Sequence, residues 1–156
     1  MRSPAVTVCY NVSLVSVYLS KYSPTPSTAH AMVIKAARAE YHKIQKLSPR
    51  REAYVRSKYF RRDKVFINQF WEHLKQKRPG DVVRRARLFV PAIDLIRNTT
   101  ISPETIYSQE DKDMELHRFY GTTRSGVDFV VQIRESKRSK RKDFMSVFPA
   151  VNKNTK

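Results

Sequence analysis

The chain has 156 residues and a formal net charge of +17, from 31 Lys and Arg against 14 Asp and Glu. That length suits one domain with a modest core, and a charge so one-sided favours a polyanionic partner, most simply nucleic acid. A lone cysteine, Cys9, excludes an internal disulfide framework, and no run approaches the ~18 apolar residues of a membrane span, so a cytoplasmic protein without a membrane partner is expected.

Val6 to Ser20 is moderately apolar, but Tyr10, Asn11 and its serines make it a poor secretion signal. Met32, which opens the helix-like "MVIKAARAEYHKI", is the plainer natural start. Residues 1–30 are therefore expected to be a weakly ordered, dispensable extension, joined by the linker "SPTPST". Asn11-Val12-Ser13 fits a glycosylation acceptor, which matters only in a secreted eukaryotic protein. One domain is expected over residues 31–150, with a flexible tail over residues 151–156.

Ala29 to Leu47 is Ala-rich and reads as a helix. Ser48-Pro49 stops it and caps a second helix, from about Pro49 to Gln76. Tyr59, Phe66, Phe70 and Leu74 recur there at helical spacing, with Val55, Ile67 and Trp71 widening the stripe, as on a buried face. Arg50, Arg51, Arg56, Arg61, Arg62 and Lys64 form a solvated face able to hold phosphates. "RPGD", residues 78–81, starts a third helix whose Arg84, Arg85 and Arg87 extend the basic surface. Pro91 is expected to end it near Leu88 or Phe89, with a further turn or two running on to Arg97. After Thr100 alternation replaces helical spacing: "ETIYS", "ELHRFYG", "VDFVVQIRE" and "KDFMSVFP". The expected fold class is α+β, with N-terminal helices packed on a small antiparallel sheet. Arg124, in the turn of the long hairpin, and Lys140 and Arg141, in the run "KRSKRK", carry positive charge towards the strands.

Chemistry concentrates on that hairpin. With Gly121 to Gly126 as its loop, Tyr120 lies opposite Val127 and His117 opposite Val130. Glu115, His117, Val130, Gln132 and Arg134 then share one face, and Leu116, Arg118, Phe129, Val131 and Ile133 the other. Arg118 joins the first face only through a bulge, and a one-residue slip reverses the assignment. A face bearing His, Gln and Arg suits RNA cleavage by the 2′-hydroxyl, which needs a base, an acid, and donors on the phosphate. Ser146 on the last strand adds a hydroxyl. Each residue also has a plainer role: a surface histidine, a glutamine tying a loop, a small core serine. The 3 glycines form no phosphate-cradling motif. His30, His42, His73 and His117 lack metal-ligand spacing. Neither metal nor cofactor is expected. An endoribonuclease, a non-catalytic RNA- or DNA-binding module and a structural ribosome-associated protein remain the readings.

The series "YVRSKYFRRDKVFINQFWEHLKQK", "RRARLFVPAIDLIRN", "LHRFYGTTRSGVDFVVQIRE" and "KDFMSVFP" resembles the phage-and-plasmid nuclease-like domains of the barnase–EndoU–colicin–RelE group. The resemblance spans about Tyr41 to Pro149. It implies a sheet that cradles RNA, cleavage to a cyclic phosphate without a cofactor, and a role in a mobile element as a toxin or host-takeover factor. tRNA or another structured RNA is the implied substrate, and a protein antitoxin or inhibitor a further partner. Positions similar in role are Arg87, His117, Arg118, Gln132, Arg134 and Ser146. A second histidine on the sheet is lacking, so a lysine, arginine or tyrosine has to complete the acid–base pair.

Overall fold

Strand periodicity does begin after Thr100, but strands also open the chain and interrupt its helices. The structure, a computed structural model, describes residues 6–10 and 13–150. Their order is β1 (Val6–Tyr10), β2 (Ser13–Leu19), α1 (His30–Lys46), β3 (Tyr54–Ser57), β4 (Asp63–Phe66), α2 (Asn68–Leu74), α3 (Pro79–Ala86), α4 (Phe89–Asn98), β5 (Glu104–Tyr107), β6 (Met114–Thr122), β7 (Asp128–Ser136) and β8 (Lys142–Pro149). Asn11 and Val12 of the glycosylation pattern, and the tail from Val151, lie outside the described residues.

The α+β class holds, and the architecture within it is corrected. The strands form one mixed sheet in the order β1-β2-β6-β7-β8-β4-β3, with β5 paired to β6. β2 runs parallel to β6, and β4 parallel to β8. The helices are thus inserted between strands of one sheet rather than stacked ahead of a small antiparallel one.

The long helix expected over residues 49–76 is a hairpin followed by a short helix. Val55 and Ser57 on β3 and Val65 on β4 are buried, with the more exposed Tyr54, Arg56, Lys64 and Phe66 between them, the period of a half-covered strand. Its turn puts Arg61 and Arg62 at φ 55° and 67°, a left-handed conformation that costs about 1 kcal/mol or more per non-glycine residue. Bonds from Arg62 N–H to the Ser57 carbonyl (2.7 Å) and from Arg56 Nη1 to the Arg62 carbonyl (2.9 Å) offset that strain. Only Phe70, Trp71 and Leu74 of the expected stripe lie on a helix, α2, where all three are buried. Pro91 sits in the first turn of α4, where no backbone donor is needed, so the break falls just before Phe89.

The register of β6 on β7 decides which side chains the helices cover. Tyr120 pairs with Val130, Arg118 with Gln132 and His117 with Ile133, three residues away from the expected pairing. An odd slip exchanges the faces. The inner face carries Phe119, Phe129, Val131 and Ile133, which join Phe144 and Val147 of β8 in the buried core. Phe144 stacks on Phe70 of α2 with centroids 4.9 Å apart. Gly121 lets this layer close: a Cβ there would lie 2.7 Å from the Phe129 ring and 2.8 Å from Leu95 of α4.

Residues 16–28, expected to be dispensable, are held against the domain. Val17, Tyr18 and Ser20 are buried. Tyr18 Oη and Ser20 Oγ donate to Asp94 Oδ2 at 3.0 and 2.8 Å, and Arg87 Nε donates to the Thr25 carbonyl at 2.7 Å. Asp94 itself is buried on α4, where a hydrogen bond to a charged group contributes about 1.5–3 kcal/mol. A chain beginning at Met32 is therefore expected to melt at a clearly lower temperature than the full chain. Equal melting temperatures by circular dichroism would show that the Asp94 bonds contribute nothing.

Candidate nucleic-acid interface

His117, the centre of the expected site, faces inward and is 7% exposed. Its Nε2 lies 2.9 Å from Glu135 Oε1 and 3.7 Å from Glu115 Oε2, and Thr105 Oγ1 is 2.8 Å from its Nδ1. Glu115 and Glu135 are direct cross-strand partners, an arrangement that like charges destabilise. His117 lies between them. The buried Lys142 ammonium pairs with Glu135 at 3.2 Å and with Asp63 at 3.0 Å. Glu115, His117 and Glu135 bring three ligand-type atoms within 4.8 Å of one another. Lys142, however, already supplies a cation there, and the cluster reads as an internal clamp between the central strands and the β3–β4 hairpin.

The outer face gathers the other four expected catalytic residues. The β6–β7 register puts Arg118 and Gln132 side by side, Arg134 lies one step further along β7, and Ser146 pairs with Gln132. A bulge between Gln132 and Ile133 on the β7–β8 ladder keeps Ser146 on this face. Arg118, Gln132 and Arg134 are half-buried, and Arg118 Nε is shielded from water without a hydrogen-bond partner. Arg134 has only a loose ion pair, 4.0 Å to Asp143. Among the described residues this face therefore has donor capacity that its own acceptors do not fill.

α2 and α3 run beside β8 and add groups that sequence reading did not place here. Arg85 reaches from α3 to donate to Ser146 Oγ, with its guanidinium 5.4 Å from the Phe148 ring centre and its Nε 3.1 Å from Asp81. His73 of α2 lies over a narrow, closely packed crevice with Phe70, Leu74, Lys77, Arg85, Met145 and Ser146. Burial lowers its pKa, and Lys77, Arg134 and Arg85 lower it further, so the ring is neutral at physiological pH. Across the face, Tyr120 donates to Glu104 of β5 at 2.7 Å. Burial and that carboxylate push its pKa up to about 12. His73 was legible only as one of four scattered histidines, because no spacing links α2 to the hairpin.

The other expected nucleic-acid contacts divide. Arg85 belongs to this face, and Arg141 lies at its end, 4.0 Å from the Phe66 ring centre. Arg84 is exposed near Asp81. Lys140 occupies a left-handed turn position between β7 and β8. Arg124 is exposed at the β6–β7 turn, and its backbone donates to Tyr22. Arg61 and Arg62 belong to the β3–β4 turn, on the side of the inner clamp. Arg87 turns towards the N-terminal segment, where its Nε donates to the Thr25 carbonyl.

Comparison of the chain with protein-family models, curated proteins and solved structures finds no match. Among the described residues no helix is long and apolar enough to cross a membrane.

Replacing His117 by Ala is expected to lower stability by about 1–3 kcal/mol, since it removes a buried polar partner from two facing carboxylates. Chemical denaturation of the purified variant measures this. A midpoint equal to wild type would remove the clamp role.

Proposed function

We propose that the chain is an endoribonuclease whose outer sheet face cuts RNA through the RNA's own 2′-hydroxyl. The observation that carries this reading is a neutral histidine, His73, set among Arg85, Arg134 and Lys77 at the rim of a donor-rich face. A base beside phosphate-binding cations is what this reaction needs. His73 takes the proton of the 2′-hydroxyl as the 2′-oxygen–phosphorus bond forms. Arg118 and Arg134 hold the phosphate oxygens while negative charge on them rises. The phosphorus–5′-oxygen bond breaks, and Tyr120, still a phenol far above neutral pH, is the face's proton donor to the departing oxygen. A cyclic phosphate and a free 5′-hydroxyl result. The net charge of +17 supports RNA as the partner. The resemblance to the barnase–EndoU–colicin–RelE group, and the toxin role in a mobile element that it implies, agree with this reading and rest on the sequence alone.

Labelled RNA incubated with the protein in EDTA is expected to give discrete fragments ending in cyclic phosphate. His73→Ala should slow cleavage by about 10²–10⁴-fold with little change in affinity. Arg134→Ala should slow it and also reduce the salt dependence of binding by about one counterion. The rate should rise with pH through a midpoint below 6.5, the ordinary histidine value, because the base works only when neutral and its folded pKa is lowered. RNA that is retarded on a gel but never cut would leave a non-catalytic binding module as the answer.

A further inference from the structure

Beyond Arg134 the outer face runs into a cleft of about 310 Å³. Its floor is Met114 of β6, Arg134 of β7 and Asp143 of β8, and its walls are Gln69 at the start of α2 and Ser139 with Arg141 from the β7–β8 loop. The volume is at the small end of the roughly 300–1,000 Å³ of small-ligand sites. We propose that this cleft is the base subsite for a nucleotide next to the scissile phosphate, so that the substrate is single-stranded RNA. The inference rests on the reading of the outer face as an RNA-cleaving surface.

The arrangement of polar groups supports a base rather than a second phosphate. Arg141 already faces two carboxylates: it is 2.5 Å from Glu52 Oε2, it contacts both oxygens of Asp143 at 3.3 Å through Nε, and its guanidinium packs on Phe66. Asp143, 5% exposed, adds a carboxylate that repels a second anion. The Ser136 hydroxyl donates to Asp113 at 2.7 Å. The Gln69 amide, half-buried on the cleft wall, offers both a donor and an acceptor to a base edge. Met114 supplies a polarisable surface for a flat ring. Walls on two sides admit an unpaired base and exclude a duplex, and single-stranded segments are where proteins read RNA bases. The continuity of the cleft with Arg134 sets its position: a base seated there keeps its own phosphate on the arginine.

The test is an abasic scan. A short single-stranded RNA that the protein cuts, or failing that one it binds, is made with deoxyribose at the cut site to block cleavage. Each neighbouring nucleotide is replaced in turn by an abasic residue, and affinity is read by fluorescence anisotropy. Loss of the base in the cleft is expected to weaken binding about 5- to 150-fold at one position beside the cut. In Gln69→Ala, and in Ser139→Trp, which fills the cleft from an exposed loop, that penalty should shrink to about twofold or less. Both sites are on the surface, and melting curves check that each variant is folded. A flat scan with tight binding of the parent RNA overturns the subsite alone. A parent RNA that does not bind overturns the RNA reading on which it rests.

Discussion

The pairing of β6 with β7 is the constraint on which the rest of this molecule depends. With Arg118 opposite Gln132 and His117 opposite Ile133, the odd-numbered residues of both strands turn towards the helices and the even-numbered ones away. Large apolar side chains choose this register. Phe119, Phe129, Val131 and Ile133 are each 2% exposed or less, and burying such a side chain contributes roughly 1.5–3 kcal/mol. Any odd slip would turn one strand's set outward, leaving either Phe119 or the trio Phe129, Val131 and Ile133 in water. Gly121 reinforces the choice, since a larger residue would meet Phe129 and Leu95.

The same register sorts the charges. On the inner face, carboxylates and cations meet one another: Glu115 and Glu135 with His117, Asp63 and Glu135 with Lys142. On the outer face positive groups outnumber their partners. A protein carrying +17 has no shortage of surface cations, most of them solvated and of little individual effect. What distinguishes the outer face is that its cations are half-buried and flank a neutral histidine, where water screens them less. The two faces therefore use similar residue types differently: on one, opposite charges meet one another, and on the other, positive groups are in excess.

The hairpin at residues 54–66 is where sequence reading and structure part most widely. Val55, Ser57 and Val65 alternate with more exposed residues, so the strand period is present. It was overridden by an aromatic spacing that also fits a helix, because both periods are sampled by so few residues. The turn gives no help either. Hairpin turns usually announce themselves with glycine or asparagine, and here Arg61 and Arg62 take the left-handed conformation instead. Their strain is held by Ser57 and Arg56, which flank the turn, and by the pairing of β4 with β8, which no local spacing announces.

From the sequence alone came the α+β class, α1, the strands after Thr100, the break before Pro91 and the excess of positive charge. Each is written in composition or in the spacing of neighbouring residues. The sequence also named Arg118, Gln132, Arg134 and Ser146 together with His117, but its expected register set Arg118 on the face opposite Gln132 and Arg134, since chemistry-bearing residues can be recognised without their facing being known. Only tertiary structure decided that His117 faces the core, that His73 arrives from α2, and that Arg87 turns towards Thr25. It also decided that Tyr18 and Ser20 tie the first strands to Asp94. The physical reason is the same in each case. Side-chain direction in a strand reverses with every residue, and contacts across more than sixty positions have no local period, so both wait on which pairing buries the most apolar surface.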